Sequence, residues 1–285
     1  MTSSSVNPSI HCEGCPGARD PEGTHHPTLE LTHECPYSCV HCYARRTRPP
    51  EPGLYGDPSD SPAVTVSQYG EPTTIGEPLL EVPAALRGLG FRRIDLQTRG
   101  YAIDLAEELA DAFDLVMVSL DVTDPETHLK VHGKDIDRTL KFLRTASGGT
   151  AKVILRTVYL PGLNDDMPDL IEEEGIHVDE VFVQPLIPFP GVVEELKRYG
   201  LEEGWDVPGR ILRFAERLSD VAPRVGLPAC WLDSLEALKG YMEEELGFVD
   251  LNSVRYRPEP GDPVPRRDRT PLEELPGFED IIERL

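Results

Sequence analysis

The sequence predicts an α/β protein: a parallel (β/α)6-type partial barrel, TIM-like, with an irregular N-terminal arm and a mostly helical C-terminal extension. Three observations predict it. Short apolar runs of strand length alternate with helical runs six times between residues 28 and 191, the pattern of a parallel sheet covered by helices. Right-handed crossovers curl such a sheet into a full or partial barrel. The chemically unusual residues fall just after the strand runs, where ligand sites lie in these folds.

Residues 1–27 are polar and rich in Gly, Pro and His, hence an arm with little regular structure. "TLELTH" (28–33) is a short alternating strand that ends at a cysteine loop, and "RPPEPGLYGDPSDSP" (48–62) is loop. "AVTVSQYG" (63–70) is strand-like, "LLEVPAALRGLG" (79–90) a short helix, and "RRIDLQTRG" (92–100) a strand ending in a turn. "DLAEELADAF" (104–113) is helical, and "DLVMVSLDV" (114–122) has the length of a buried strand. "DIDRTLKFLRTA" (135–146) is a helix, "AKVILRTVYL" (151–160) a strand, "DDMPDLIEEEG" (165–175) a helix with Gly175 as its cap, and "VDEVFVQPL" (178–186) a strand. The barrel spans 28–191, and 192–285 form the extension, with amphipathic helices such as "GRILRFAERLSDVA".

At 285 residues the chain is long enough to bury a sizeable core. No run of eighteen apolar residues exists, and the N-terminal stretch has neither the basic start nor the apolar centre of a secretory signal. The expected setting is the cytoplasm, where clustered cysteines are metal ligands rather than disulfides. The formal net charge of −23 suits a salty cytoplasm or a cationic partner. It opposes a non-specific grip on nucleic acid, which rests on Lys and Arg against phosphate. A local basic patch remains open at Arg255, Arg257, Arg266, Arg267 and Arg269.

"ELTHECPYSCVHCYARR" (30–46) puts Cys35, Cys39 and Cys42 within eight residues. A C-x3-C-x2-C loop suits a [4Fe–4S] cube with one iron left free of protein ligands. It also suits zinc, with His33 or His41 as fourth ligand.

The cysteine loop and four ordered partners resemble the radical S-adenosylmethionine (SAM) enzymes over residues 28–191. "QYGEPTT" is similar to that family's GGEP segment, with Tyr69 replacing its first glycine. "LQTRG" is similar to its third-strand turn, with Arg99 replacing an asparagine. "VSLDVTDPETHLKVHG" and "VYLPGLND" are similar to its fourth- and fifth-strand segments. Taken alone, "GEPT" is a turn and "SLD" a strand end; the ordered set gives them weight.

The resemblance implies a [4Fe–4S] cluster on Cys35, Cys39 and Cys42, with SAM chelating the open iron. An electron then splits SAM into methionine and a 5′-deoxyadenosyl radical that abstracts hydrogen from substrate. It implies that Gly70 and Glu71 line the SAM amino group, that Ser119 and Asp121 bind its ribose or carboxylate, and that Thr98 lies at the same site, with Arg99 a weaker candidate. His41 stands where the family places an aromatic residue beside adenine. The implied partners are a small flavodoxin- or ferredoxin-type reductant protein and an unidentified substrate: a cofactor precursor, a peptide or an RNA base. A non-catalytic iron–sulfur or zinc protein, acting as electron carrier or interaction module, is the alternative. Such a protein has no need of Gly70–Glu71 and Ser119–Asp121 at successive strand ends.

Cys12 and Cys15 form a C-x2-C pair in the arm, and Cys230 lies far down the chain. They can form a second metal site with His11, His25 or His26, act as a redox pair, or be unrelated.

Overall fold

A computed structural model describes residues 6–18, 25–259 and 267–285. The strands are β1 (Val6–Pro8), β2 (Thr28–Glu30), β3 (Gly53–Tyr55), β4 (Ala63–Val66), β5 (Arg93–Thr98), β6 (Leu115–Ser119), β7 (Lys152–Val158), β8 (Glu180–Gln184), β9 (Val225–Leu227) and β10 (Arg269–Thr270). The α-helices are α1 (Val82–Gly88), α2 (Ala106–Ala112), α3 (Pro125–His132), α4 (Ile136–Ala146), α5 (Met167–Glu173), α6 (Val192–Lys197), α7 (Pro208–Leu218), α8 (Ala229–Leu246) and α9 (Glu279–Ile282).

All ten strands join one open sheet in the order β1-β9-β8-β7-β6-β5-β4-β2-β3-β10. From β2 through β4 to β9 and on to β1 the pairings are parallel, and β3 and β10 add an antiparallel edge. Side chains alternate between faces along each strand. Val116 and Val118 of β6, Ile94 and Leu96 of β5 and Val181 and Val183 of β8 point outward into the main core beneath the helices. Leu115 and Met117 of β6, Ile154 of β7 and Phe182 of β8 point inward and pack with Ile10 of the arm. The inward positions turn polar toward the strands' C-terminal ends, at Gln97, Ser119, Arg156 and Gln184.

Four segments depart from the sequence expectation. The arm is not irregular throughout: β1 pairs with β9, while β2 lies at the far end of the parallel run. His11 Nδ1 lies 2.9 Å from Asp95 Oδ2, the Arg93 guanidinium donates to the carbonyls of His11 (2.9 Å) and Glu13 (3.0 Å), and Ile10 N donates to Glu180 Oε2 (3.0 Å). Asp95 and Glu180 sit near the starts of their strands, so the arm floors the barrel. The expected 48–62 loop contains β3, a three-residue strand paired on one side with β2 and on the other with β10. The sheet also continues beyond residue 191, taking β9 from the segment expected to be helical. Finally, the stretch after β6 forms α3, capped by the Asp124 side chain, which accepts from Thr127 N. No helix among the described residues is long and apolar enough to cross a membrane.

The late arginines do not form an open basic patch. Arg255 and Arg257 both pair with Asp206 (2.5 and 2.7 Å), Arg269 with Glu51 (3.1 Å) and Arg267 with Asp60. Arg266 lies outside the described residues.

Candidate active site

The cysteine loop leaves β2 at Glu30, whose buried carboxylate accepts from Gln68 N and Tyr69 N, both at 3.0 Å. One carboxylate thus ties the start of the cysteine loop to the end of β4. The loop's far half rests on α3: Ser38 N donates to His132 O (2.8 Å) and Val40 N to Val131 O (3.0 Å). Arg45 closes the loop on itself by donating to Ser38 O at 2.8 Å.

Cys35, Cys39 and Cys42 are unbridged and interact electrostatically with one another. Burial pushes the Cys39 thiol up to about 12, although Arg99 opposes the shift, and burial raises Cys35 as well. Thiols raised in this way, as Cys35 and Cys39 are, stay neutral unless a cation takes them as thiolates. The donor set therefore fits a metal cluster.

Gly70 has φ +72°, the left-handed region that favours glycine. A Cβ there would collide with the Thr32 carbonyl and lie 3.1 Å from Glu34 O. Glu71 N donates to Glu34 O at 2.8 Å. Gly70 lines the cavity, and its missing side chain leaves room for the cysteine loop. The preceding Ser67 is the one non-glycine residue with positive φ (65°) among the described residues, and its hydroxyl donates to Tyr69 O at 2.5 Å.

Glu71 is fully committed. Its carboxylate accepts from Thr73 N (3.2 Å), the Thr73 and Thr98 hydroxyls (2.7 and 2.5 Å) and Arg99 N (2.7 Å). Burial raises its pKa despite these donors. Thr98 Oγ1 also accepts from Gly100 N at 2.8 Å. Glu71 and Thr98 therefore clamp the ends of β4 and β5 together rather than offering free groups to a ligand.

The hub of the site is Arg99. Its guanidinium pairs with Asp121, reaches Ser119 O (3.4 Å) and lies 5.9 Å from the Tyr37 ring centre, while its carbonyl accepts from the Tyr37 and Thr139 hydroxyls (3.2 and 2.9 Å). Asp121 Oδ1 accepts from Val158 N at 2.8 Å, and Oδ2 lies 3.2 Å from His41 Nε2. Burial works against the charged form of Asp121, but the Arg99 guanidinium and then His41 outweigh it and hold the carboxyl well below its usual range. The His41 ring packs edge-on against His132 at 5.5 Å and shares Asp121 with Arg99. His41, Asp121 and His132 bring donor atoms within 4.8 Å of one another. Arg99 already occupies the Asp121 oxygen that faces His41, so this group is an ion-pair network rather than a cation site.

These groups line one cavity of about 780 Å³. It takes in Cys35, Cys39, Cys42, His41, Gly70, Glu71, Thr98, Arg99, Ser119 and Asp121, and its floor includes Gln97, Arg156 and Gln184. Arg156 donates to Gln184 Oε1 (2.7 Å) and Gln97 Oε1 (3.1 Å), joining three strands. Sequence reasoning missed Arg156, Gln97, Gln184 and His132. The signal for the first three was present: each is polar at an inward position near the end of an otherwise apolar strand.

The cavity also reaches Cys12, Cys15, His25 and Cys230. Cys12 interacts electrostatically with Cys15 and Cys230 and receives the Ala229 backbone N–H. His25 Nδ1 lies 3.9 Å from Cys15 Sγ. His11 and His26, the other histidines considered for a second site, are engaged by Asp95 (2.9 Å) and by Ser61 (3.0 Å) and the His11 carbonyl (2.8 Å).

The site is thus an open parallel barrel with a three-cysteine loop after its first inner strand, opposite a buried Arg–Asp pair. The model of the radical SAM superfamily matches residues 61–173. The chain is 32% identical over 276 residues to the uncharacterized protein MJ0804 of Methanocaldococcus jannaschii, covering 92% of this chain and 91% of that one. It is 30% identical over 123 residues to the pyruvate formate-lyase-activating enzyme of Staphylococcus epidermidis, covering 39% of this chain and 49% of that one. Among solved structures it is similar to Streptococcus suis SuiB bound to S-adenosylmethionine, with TM-score 0.52 and 16% identity over 70% of this chain and 49% of that one. It thus spans about half the length of the activating enzyme and of SuiB. The chain belongs to the radical SAM superfamily. It is an enzyme of that class, whose cofactors are a [4Fe–4S] cluster and SAM, which sets aside the non-catalytic reading.

Proposed function

We propose that Cys35, Cys39 and Cys42 hold the [4Fe–4S] cluster, and that SAM lies in the 780 Å³ cavity between this loop and the ends of β4, β5 and β6. When bound, the cluster supplies the electron that splits SAM into methionine and a 5′-deoxyadenosyl radical able to take hydrogen from a substrate. The observation that carries the reading is the convergence of three unbridged thiols on a cavity walled by the Glu71 and Asp121 networks.

The chain's own residues orient and exclude. Glu30 and Glu71 fix the turn after β4 against the cysteine loop and the turn after β5. Arg99 and Asp121 form the charged wall. Ser119 and the ring of His41 offer polar and flat surfaces to ribose and adenine. The inner barrel beneath keeps bulk water from the reacting carbon. A cavity of this size has room for SAM and a small substrate or one side chain of a larger one. Arg156, Gln97 and Gln184 form its polar end and suit a substrate with hydrogen-bonding oxygens. Electrons come from a flavodoxin- or ferredoxin-type reductant protein. By this reading, residues 28–191 form the catalytic barrel, and the arm and the extension complete its cavity. The test is anaerobic reduction of the reconstituted protein with SAM: 5′-deoxyadenosine forms in the wild type and stays at background in Cys39→Ala. Equal formation in both would overturn the assignment.

A further inference from the structure

We propose that Cys12, Cys15 and Cys230 bind a second iron–sulfur cluster of cubane type, facing the same cavity as Cys35, Cys39 and Cys42. This second cluster would use different residues from the proposed SAM site and does not depend on them.

The fold brings these thiols together from opposite ends of the chain. β1 and β9 pair in parallel, with Pro8 opposite Leu227. The segments after the two strands therefore emerge at the same end of the sheet. Cys12 stands four residues after Pro8, in a turn spanning Ile10–Cys12, and Cys230 stands three residues after Leu227, in the first turn of α8. Cys15 N donates to Cys12 O at 3.1 Å, curling the C-x2-C segment so that both of its thiols join the group.

The chemistry of the group favours thiolate ligation. None of the three is in a disulfide. The N-terminus of α8, an 18-residue helix, directs the Ala229 N–H at Cys12, and a helix start stabilises a thiolate. Cys12 sits half-buried at this helix start and Cys15 is buried, so both are screened from bulk water.

The arrangement of the donors suits a cluster better than a closed single-zinc site. With Zn–S bonds of about 2.3 Å, tetrahedral ligands stand about 3.8 Å apart. No three of the donor atoms of Cys12, Cys15, Cys230 and His25 lie within 4.8 Å of one another. A cube takes each thiolate on a different iron and so needs the wider separation. The Cys35, Cys39 and Cys42 sulfurs are likewise not so close together. His25 Nδ1, only 3.9 Å from Cys15 Sγ, is too near that sulfur to serve a separate iron. It is placed to hydrogen-bond the thiolate, a contact that tunes a cluster's potential.

The test is the iron and sulfide content of protein reconstituted anaerobically with ferrous iron and sulfide. The wild type should hold roughly eight irons, four per cube. The triple variant Cys35→Ala/Cys39→Ala/Cys42→Ala should keep about four and, when reduced, give a paramagnetic signal that SAM does not shift. The reciprocal variant Cys12→Ala/Cys15→Ala/Cys230→Ala should also keep about four, with a signal that SAM does shift. Cys230→Ser, on an exposed turn, guards against misfolding in the multiple variants, and a circular dichroism spectrum matching the wild type confirms its fold. It should lose iron. The second cluster is overturned if the first triple variant holds no iron, if it holds one zinc instead, or if Cys230→Ser and the reciprocal variant keep the full wild-type complement. Iron retained in full by the first triple variant but lost from the reciprocal one would overturn the proposed SAM site and leave the second cluster standing.

Discussion

The two cysteine groups face one cavity but are built in opposite ways. Cys35, Cys39 and Cys42 share one loop, held from below by α3 and from the side by Glu30 and Arg45. Cys12, Cys15 and Cys230 are joined only through the β1–β9 pairing and the packing of the arm beneath α8. A local group survives any change that spares its loop. A group assembled from the two ends of a chain depends on the closure of the fold around it. The difference teaches that a sequence motif reports chemistry only when its ligands share a turn.

The comparison breaks most severely if the loop thiols are dispensable. Cys35→Ala, Cys39→Ala and Cys42→Ala should each bring 5′-deoxyadenosine formation to background in an anaerobic assay read by liquid chromatography. Normal formation in any one of them would remove the local group from the chemistry.

Breaking the buried charge pair comes next. Asp121→Ala leaves the Arg99 guanidinium buried without its carboxylate, a change that costs about 3–5 kcal/mol. Urea unfolding should show that loss, and SAM binding should weaken with it. A midpoint equal to that of the wild type would show that solvent or another group takes over the pairing.

Gly70→Val tests how the loop is seated. The left-handed backbone alone costs a branched residue about 1–2 kcal/mol, and the added Cβ strikes the Thr32 carbonyl. The variant should melt lower and lose iron from the loop site, while the Cys12 group keeps its own. A variant with full iron content and only weakened SAM binding would contradict this and put the added side chain against the cofactor rather than the loop.

The smallest effect is the pH dependence of the arm. Burial, with His11 adding, lowers the His26 pKa from 6.5 to about 3. Between those values the unfolded chain holds the proton and the folded chain does not, so stability is present above pH 6.5 and falls as the pH drops. From pH 6.5 to 5 this one histidine removes about 2 kcal/mol at most. Burial lowers His128, beneath the cysteine loop, from 6.5 to about 4, with the same sign. Urea midpoints at pH 7 and pH 5 should differ accordingly, and His26→Gln should flatten part of the slope. An unchanged slope in that variant would mean that His26 is not held neutral in the floor.

The alternation of strands and helices from residue 28 to 191 was legible because β5 to β8 are five to seven residues long and nearly uniformly apolar on their outer faces. The three-residue strands β1, β3 and β9 were not legible. Three residues carry no period, and it is their pairing partners that make them strands. In the candidate site, the loop cysteines stood out by spacing, and Gly70 and Asp121 only through the family resemblance. The roles of Glu71 and Thr98 as clamps did not, because a carboxylate at a strand end looks the same whether it faces a ligand or a neighbouring turn. Arg99 looked like a turn residue, and only the fold brings its guanidinium back onto Asp121. His132 joins the site through α3, a helix whose start, "TDPETH", carries an Asp–Pro cap.

The most direct test uses the Cys12→Ala/Cys15→Ala/Cys230→Ala variant, which leaves the loop cysteines as the only thiols. The measurement is its electron paramagnetic resonance spectrum in the reduced state, before and after SAM is added. Cluster binding by Cys35, Cys39 and Cys42 beside the Arg99–Asp121 wall predicts a cluster signal that shifts on addition of SAM, with 5′-deoxyadenosine found in the same sample. A cluster signal that SAM leaves unmoved, with no 5′-deoxyadenosine formed, would contradict it.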